Sequence, residues 1–210
     1  MYASAKFWDK VADKYAATPI RNAAAYEATL DQVRTLAEPE DALLELGCGT
    51  GTTALALAPS VAQIIATDVS PAMLAKGHEK AAAQGVSNVD FKEADPWDAP
   101  EGPFDMVLAF NLLHLIEDMQ GALSEIAKRT KPNGVFVSKT FCMPERRNVV
   151  WFFIQLALPV LQAIGKAPYF AKLSVEDLST AITRAGFVID TMERAPGKDP
   201  RWTVIARRAT

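Results

Sequence analysis

The stretch that decides the fold is Leu43-Leu44-Glu45-Leu46-Gly47-Cys48-Gly49-Thr50-Gly51. Apolar residues run into a glycine-rich turn, and the alanine- and leucine-rich residues 54–58 follow, which predicts a strand, a tight turn and a helix. Glycine allows a sharp turn and lets a ligand lie against bare main chain, where a Cβ would collide. The first N–H groups of the helix point toward whatever occupies the turn. The stretch therefore predicts the entrance of a nucleotide site.

The spacing of the glycines separates two kinds of cofactor. A dinucleotide fingerprint has the form G-x-G-x-x-G, because a pyrophosphate sits on the helix N-terminus. This chain has G-x-G-x-G, and Glu45 stands two places before the first glycine. A carboxylate repels a pyrophosphate but attracts an ammonium or sulfonium group. The turn is thus expected to take a partly cationic ligand.

The sequence E-L-G-C-G-T-G over residues 45–51 resembles the first motif of class I S-adenosylmethionine-dependent methyltransferases. The resemblance implies S-adenosyl-L-methionine as cofactor and a three-layer, Rossmann-like α/β sandwich. It further implies that the backbone of Gly47, Cys48, Gly49 and Gly51 approaches the methionine and ribose parts of the cofactor. The carboxylate of Glu45 then favours the positively charged end of the cofactor. A tight turn without a ligand is the alternative interpretation.

Composition limits the class of protein. The chain has 210 residues, half of them apolar, which suits one domain over residues 1–210. A net charge of −3 shows no basic excess, so nucleic acid is not expected as a partner. Two cysteines and two histidines make neither a disulfide framework nor a metal-ligand pattern. The charged N-terminal segment is unlike a signal peptide, and we expect a cytoplasmic protein without a metal site.

Two amphipathic helices are predicted in residues 1–38, over Ser4–Ala17 and about Asn22–Ala37, from apolar residues at helical spacing. Small methyltransferases of the type that the motif resembles often carry such a helix as a cover on the cofactor. Tyr15 is therefore a candidate for ligand and substrate contact, and ordinary packing is the alternative.

A second strand is predicted over residues 63–68 and ends in Asp68, 17 residues beyond Gly51. This spacing puts the carboxylate at the carboxyl end of the neighbouring strand of a βαβ unit, where it can accept hydrogen bonds from a ribose diol. We assign the adjacent Val69 to the same site. Ser70-Pro71 predicts the start of a helix over residues 71–84, and capping that helix is the alternative role of Asp68.

A short third strand is predicted at residues 89–92, and an acidic turn follows it. The methyltransferase pattern implies that an acidic residue at this place receives the adenine amine, and Asp95 matches it. Pro96 and Trp97 are expected to give the base an apolar wall. An exposed acidic turn is the alternative.

The most strand-like run is Phe104–Phe110, and it continues into Asn111-Leu112-Leu113-His114. Methyltransferases acting on nucleic-acid amines carry an N/D-P-P-Y/F tetrapeptide here, and its absence argues against such bases as substrate. The run resembles the small-molecule branch, in which Asn111 lies beside the methionine part of the cofactor. His114 is a candidate general base, and a hydrogen-bonded structural histidine is the alternative.

An apolar insertion is predicted over residues 142–173, with Trp151 and Phe152 as candidate substrate contacts. Its run from Trp151 to Leu161 is too short for a membrane span. A lid over the active site, a peripheral membrane contact through residues 149–164 and a dimer contact remain open.

The C-terminal part completes the sheet. Ser174 begins a helix with a capping box, and residues 187–193 and 202–207 alternate as two strands close enough to pair antiparallel. A seven-stranded, mostly parallel sheet with one reversed strand is thus expected.

The predicted activity is transfer of a methyl group to a nucleophilic atom of a small, partly apolar molecule by in-line displacement. Such a reaction needs alignment and water exclusion more than catalytic side chains, which fits a chain with one clear cofactor motif. A lipid methyltransferase, a nicotinamide-dependent oxidoreductase and a non-enzymatic cofactor-binding protein are the rival hypotheses.

Overall fold

The computed structural model describes residues 5–143, 158–162, 165–196 and 199–210. Within those ranges the strands form one seven-stranded sheet in the order β3-β2-β1-β4-β5-β7-β6. The strands are β1 (Ala42–Leu46), β2 (Gln63–Asp68), β3 (Val89–Glu93), β4 (Phe104–Phe110), β5 (Thr130–Phe141), β6 (Phe187–Arg194) and β7 (Arg201–Arg208). Strand β7 runs antiparallel to β5 and β6, while the other pairs are parallel. The prediction of one reversed strand is confirmed.

Helices flank this sheet, and their starts follow from local capping. They are α1 (Ala5–Ala17), α2 (Ala23–Leu36), α3 (Thr52–Leu57), α4 (Pro71–Gln84), α5 (Met119–Arg129) and α6 (Val175–Arg184), and residues 158–162 are helical too. The side chains of Asn22, Ser70, Asp118 and Ser174 each accept a hydrogen bond from a first-turn N–H. The predicted capping box at Ser174 is present.

The core lies on both faces of the sheet. Consecutive strand residues point to opposite faces, so Leu43 packs with Leu30 of α2 and Leu57 of α3, on one side. Leu44 packs on the other side in the cluster that contains Leu123 of α5. Helices therefore cover both faces, and the predicted three-layer Rossmann-like sandwich is confirmed.

The sequence pattern predicts a helix over about residues 119–131, a turn at residues 132–134 and a fifth strand over residues 135–140, but strand β5 begins earlier. Helix α5 ends at Arg129 instead of about Lys131, and Thr130 already pairs with Phe104 of β4. The register then shifts, and pairing resumes at Val135 with Met106. The intervening residues loop out around Asn133, whose φ of 62° is left-handed. The predicted turn is thus a bulge between two paired parts of the same strand.

The topology places a crevice above β1. This strand lies between β2 and β4. The chain adds β2 and β3 on one side of β1, and then adds β4 on its other side. In open α/β sheets ligands bind at such a switch point, outside the carboxyl ends of the strands. The glycine turn follows β1 at this edge.

Much of the predicted insertion over residues 142–173 lies outside the described ranges, which cover 142–143, 158–162 and 165–173 of it. Trp151 and Phe152 are among the residues outside them. In the part of the chain that the structure describes, no helix has both the length and the apolar character needed to cross a bilayer.

Candidate functional site

A cavity of about 1140 Å³ opens at the carboxyl edge of the sheet. Its walls come from α1, from the ends of β1 to β4, from the start of β7 and from residues 162–170. Of the residues predicted from the sequence to form the site, ten line this cavity: Tyr15, Gly47, Gly49, Asp68, Val69, Asp95, Pro96, Trp97, Asn111 and His114. The fold thus brings residues up to about a hundred positions apart in sequence to one cavity.

The three glycines of the turn all have left-handed φ angles, between 55° and 70°. They nevertheless serve different purposes. A Cβ at Gly51 would lie 2.6 Å from the ring of Phe91, so this glycine is needed for packing. A Cβ at Gly47 would lie 2.8 Å from Leu112 Cδ1. Gly47 and Gly49 both line the cavity, and at Gly49 a Cβ would meet only Tyr15 Cε1 at 3.8 Å, so the backbone of Gly49 is the more open of the two.

Glu45 lies behind the turn and is 2% exposed. It accepts a hydrogen bond from the N–H of Ala54, in the first turn of α3, while its Oε2 has no partner among the described residues. Burial, followed by the nearby Asp68 carboxylate, raises the pKa of Glu45 to about 8. The side chain is therefore mostly neutral at pH 7, and its orphaned oxygen is a polar group that a bound cation would stabilise as a carboxylate.

Asp68 organises the turn and lines the cavity at the same time. Its Oδ2 accepts from Gly49 N–H at 2.8 Å, and its Oδ1 accepts from Ser70 N–H at 2.9 Å. Burial raises the pKa of this carboxyl, and the hydrogen bonds from the backbone oppose the shift. Each oxygen keeps a second lone pair for a ligand hydroxyl. Both roles considered from the sequence are compatible with this geometry.

Asp95 begins the loop after β3. Its Oδ1 accepts from the N–H groups of Trp97 and Asp98, at 2.8 and 3.1 Å, which is an Asx turn. The Trp97 side chain is 42% exposed and lines the cavity together with Asp95 and Pro96. The loop thus places a carboxylate beside the apolar side chains of Pro96 and Trp97 in the cavity wall.

Asn111 follows β4 in a left-handed conformation, with φ 56°. Its N–H donates to Lys139 O at 2.7 Å, which extends the pairing of β4 with β5 by one residue. Asparagine tolerates this conformation better than most residues. The turn of the backbone directs the chain past the cavity and into the short helical segment that carries His114.

His114 lines the cavity but is 7% exposed. Its Nδ1 accepts from Phe141 N–H at 3.4 Å, and its ring contacts the Phe141 and Phe170 rings. Burial, assisted by the positive charge of Arg201, lowers the pKa of His114 to about 4. The imidazole is therefore neutral at physiological pH and is a weak base. These contacts favour the structural role among the two considered from the sequence.

Helix α1 forms one wall of the cavity through Phe7, Trp8 and Tyr15. Its position is held by Asp9, whose Oδ1 accepts from Ser70 Oγ at 2.6 Å and from Ala72 N–H at 3.2 Å at the N-terminus of α4. Tyr15 is 51% exposed and lines the cavity next to Gly49. Desolvation, followed by the Asp68 and Glu45 carboxylates, raises the pKa of its hydroxyl.

Arg201 is a cavity residue that the sequence did not indicate. It is the first residue of β7 and stands opposite Phe141 in the register with β5. Since β7 runs antiparallel, its start lies where the parallel strands end. The position could have been found only from the pairing of β7 with β5.

In the described ranges no group of three or more His, Cys, Asp or Glu side chains is arranged to hold a metal ion. Cys48 and Cys142 are free thiols and are buried. Burial raises the pKa of both, so neither is prepared for nucleophilic chemistry.

Known proteins resemble this chain in sequence and in fold. The profile of the family described as "Methyltransferase domain" matches residues 44–136. A demethylmenaquinone methyltransferase of Mycobacterium marinum is 30% identical over 171 residues, which are 78% of this chain and 70% of that protein. The chain belongs to the class I S-adenosylmethionine-dependent methyltransferase family.

Two further comparisons define the extent of this likeness. A demethylmenaquinone methyltransferase of Clavibacter sepedonicus is 38% identical over 105 residues, 49% of this methyltransferase-family chain and 42% of that protein. The chain spans 42% to 62% of the length of several curated relatives. The S-adenosylmethionine-dependent methyltransferase of Mesorhizobium loti has the same fold, with a TM-score of 0.69 at 20% identity, over 88% of this chain and 98% of that one.

The residues of the cavity fit the cofactor of this family. Gly49 leaves its backbone open to a ligand, and Asp68 and Asp95 offer carboxylate oxygens at two successive strand ends. The orphaned Oε2 of Glu45 is a buried acceptor behind the same turn. The cavity exceeds the volume that one drug-sized ligand fills, so a second molecule has room beside the first.

Proposed function

We propose that the protein transfers a methyl group from S-adenosyl-L-methionine to a nucleophilic atom of a small, partly apolar molecule. The observation that carries the proposal is one continuous cavity with two different halves. Asp68 ends β2 and Asp95 follows β3, and we call the cavity wall around these two carboxylates its polar half. Apolar and aromatic side chains, among them Leu115, Ile116, Tyr169 and Phe170, line the wall beyond β4, which we call its apolar half.

The polar half would hold the cofactor by the residues predicted from the sequence. Asp68 accepts from the ribose hydroxyls, and Asp95 accepts from the adenine amine beside Pro96. The backbone of Gly49 borders the methionine part, and Asn111 lies at its far edge. The positively charged end of the cofactor would lower the pKa of Glu45, and the carboxylate formed when Glu45 releases its proton would attract that charge. The support for these assignments is the common cavity, since Gly49, Asp68, Asp95 and Asn111 all line it.

When bound, the cofactor supplies a methyl group activated by its positively charged sulfur. The protein then has to align the acceptor with that methyl group and keep water out. Side chains of helix α1 and of residues 165–170 line the cavity, where they would limit the access of water to a bound acceptor. A neutral His114 accepts a proton only weakly, so no strong base is expected to drive the reaction.

The acceptor is proposed to be a flat, hydroxylated aromatic molecule of the quinol class. Aromatic walls favour a planar ring by stacking and edge contacts. Two relatives are named demethylmenaquinone methyltransferases, which supports the same class without extending to the identity of the substrate. The shape and side chains of the apolar half of the cavity would determine which of these aromatic rings the protein accepts.

Calorimetric titration with S-adenosylmethionine, S-adenosylhomocysteine and NAD tests the cofactor assignment. We expect micromolar binding of the first two and none of NAD. Asp68→Ala should weaken binding about 10- to 100-fold, because the loss of hydrogen bonds to a charged group costs about 1.5–3 kcal/mol. Asp90→Ala is the matched control, since Asp90 is an exposed carboxylate paired with Lys92 on the outer strand β3. Binding of NAD alone, or an unchanged affinity of Asp68→Ala, would contradict the assignment.

A lipid methyltransferase working at a membrane surface remains the second candidate. Its support is the sequence pattern at residues 149–164, of which the structure describes 158–162. Co-sedimentation with liposomes that is lost in the double variant Phe152→Glu and Phe153→Glu would favour the lipid methyltransferase. If the wild type did not co-sediment with liposomes, the result would favour a small-molecule acceptor in solution.

A further inference from the structure

Arg201 lines the cavity from the start of β7, next to Asn111 and on the far side of β4 from Asp68 and Asp95. Strand β7 is separated from β1 by β4 and β5, which amounts to roughly 14 Å at the spacing of neighbouring strands. Asp68 ends β2 and Asp95 follows β3, and both strands lie still farther along the sheet. The guanidinium is therefore placed over the strands that border the acceptor.

The guanidinium is held rigidly by one neighbour. Nε of Arg201 donates to Asp199 Oδ1 at 2.8 Å and Oδ2 at 3.1 Å, and Nη2 donates to Oδ2. The Asp199 side chain is 15% exposed and the Arg201 side chain 35%. This forked pairing orients the plane of the guanidinium, so little side-chain freedom remains to be lost when a ligand binds.

The opposite edge of the guanidinium faces the cavity. Nη1 lies 3.5 Å from Asn111 Oδ1, a long hydrogen bond that leaves most of this donor's capacity unused. Arg201 also acts on the groups around it, because its charge lowers the pKa of His114 and opposes the raised pKa of Tyr15. Its free donors thus lie among Asn111, His114 and Tyr15, which all line the cavity.

The other nearby cation is already engaged. Lys139 is 6% exposed, and its Nζ donates to Thr29 Oγ1 at 2.8 Å and to Ala25 O at 3.4 Å in α2. Lys139 does not line the cavity, whereas Arg201 does. Lys6 and Lys10 also line the cavity, from α1, whereas Arg201 enters it from β7 next to Asn111.

We propose that Arg201 forms a subsite for an acidic hydroxyl of the methyl acceptor, bound as its oxyanion by the Nη donors. The inference rests on the proposed function and narrows its acceptor to aromatic rings that carry an ionisable hydroxyl. Asp199 is a positioning residue in this arrangement, because it holds the guanidinium and does not touch the ligand. The apolar and aromatic walls receive the ring, and the guanidinium selects for its oxygen.

The test uses 4-nitro-1-naphthol, whose absorption changes on ionisation, and its methyl ether as a probe without the acidic hydroxyl. Each is titrated into the full-length protein with S-adenosylhomocysteine present, and the pKa of bound naphthol is read from its spectrum. We expect the wild type to bind the ionised naphthol and to lower its pKa. Arg201→Met should weaken naphthol binding at least about tenfold and abolish the pKa change, while ether binding changes less than about twofold.

Three controls make the outcome decisive. Arg207→Met removes an arginine of the same strand that pairs with Asp190 outside the cavity, and it should leave both probes unaffected. Arg201→Lys, which keeps the charge without the fork, should recover part of the affinity and shows that folding is retained. Titration of S-adenosylhomocysteine alone reports the proposed function separately.

The proposed subsite would be refuted if the wild type did not bind the naphthol, or if wild type and Arg201→Met bound it equally well. If Arg201→Met weakened the binding of S-adenosylhomocysteine and left the affinity for naphthol unchanged, Arg201 would belong to the cofactor site, and the acceptor subsite would also be refuted. Failure of the wild type to bind S-adenosylhomocysteine would instead refute the proposed cofactor, whatever the naphthol shows.

Discussion

At the scale of single residues, Glu45 shows how the fold changes the chemistry of a side chain. Its place before the glycine turn indicates a negative charge that attracts a cation, yet its burial makes it mostly neutral in the ligand-free protein. Binding of a cation should therefore be accompanied by release of its proton. The same burial has a consequence for stability that does not depend on any ligand.

Glu45→Gln should remove a dependence of stability on pH. The pKa rises from 4.5 to about 8 on folding, so between these values the unfolded chain releases a proton that the folded protein keeps. The free energy of unfolding of the wild type therefore falls as pH rises from 4.5 to 8, by about 5 kcal/mol at most. The contribution of Glu45 to this free energy is fully present only below pH 4.5. Urea unfolding at pH 5, 6.5 and 8 measures the difference. Exposed Glu93→Gln is the control, and parallel profiles for wild type and Glu45→Gln would contradict the prediction.

At the scale of elements, the approach of α4 to the glycine turn depends on two glycines and one ring. Gly51 in the turn and Gly77 in α4 both lie where a Cβ would meet Phe91, at 2.6 and 2.7 Å. Phe91 from β3 thus fills the space between the turn and the helix. The packing holds the turn in place without a contact to the cavity.

A series of three alanine substitutions should separate overlap from backbone strain. Gly85→Ala meets no atom within 4 Å but has a φ of 67°, so it should cost about 1–2 kcal/mol from strain alone. Gly77→Ala tests overlap with Phe91, which costs about 1–3 kcal/mol and outweighs the roughly 1 kcal/mol gained in helix propensity. Gly51→Ala combines both penalties and should be the least stable. Thermal unfolding ranks them, and Phe91→Leu should relieve Gly77→Ala but not Gly85→Ala.

Helix α1 is docked by an interaction at the start of another helix. Asp9→Ala removes the acceptor for Ser70 Oγ and Ala72 N–H, and should increase the dissociation rate of S-adenosylhomocysteine about tenfold by loosening the cover. Asp13→Ala removes only a pair with Lys76 in which Asp13 is 91% exposed, and should have little effect. Stopped-flow displacement measures both rates. Equal rates in the two variants would show that α1 does not retain the ligand.

At the scale of the whole molecule, the cavity joins parts of the chain from α1 to β7. A ligand placed there contacts residues that come together only in the folded domain. Binding should consequently stabilise the domain as one unit, since the ligand has no comparable site in the unfolded chain.

S-adenosylhomocysteine at 100 times its dissociation constant should raise the midpoint of one cooperative thermal transition by about 5–10 °C. The estimate follows from a stabilisation of about 2.7 kcal/mol and a shift of about 2–4 °C per kcal/mol for a chain of this size. Differential scanning calorimetry provides the measurement. Two transitions, of which only one moves, would mean that the C-terminal strands fold apart from the site.

The fold was predictable because its determinants are local or periodic. The apolar run before Gly47, the carboxylate at the end of β2, the Ser70-Pro71 cap and the alternation in the last two strands each act within a few residues. Consequently the helix over Pro71–Gln84 and the reversed strand were obtained correctly. The start of β5 was misplaced, because the bulge around Asn133 depends on pairing with β4.

The sequence by itself determined the family motif, the mostly parallel sheet with one reversed strand, and which strand ends carry Asp68 and Asp95, because short-range patterns specify strands, turns and caps. Only the tertiary structure decided that Gly51 packs on Phe91, that Glu45 is neutral and that Arg201 enters the cavity. Steric fit, desolvation and antiparallel placement all arise between residues distant in sequence. Such contacts form only when the layers of the sandwich come together.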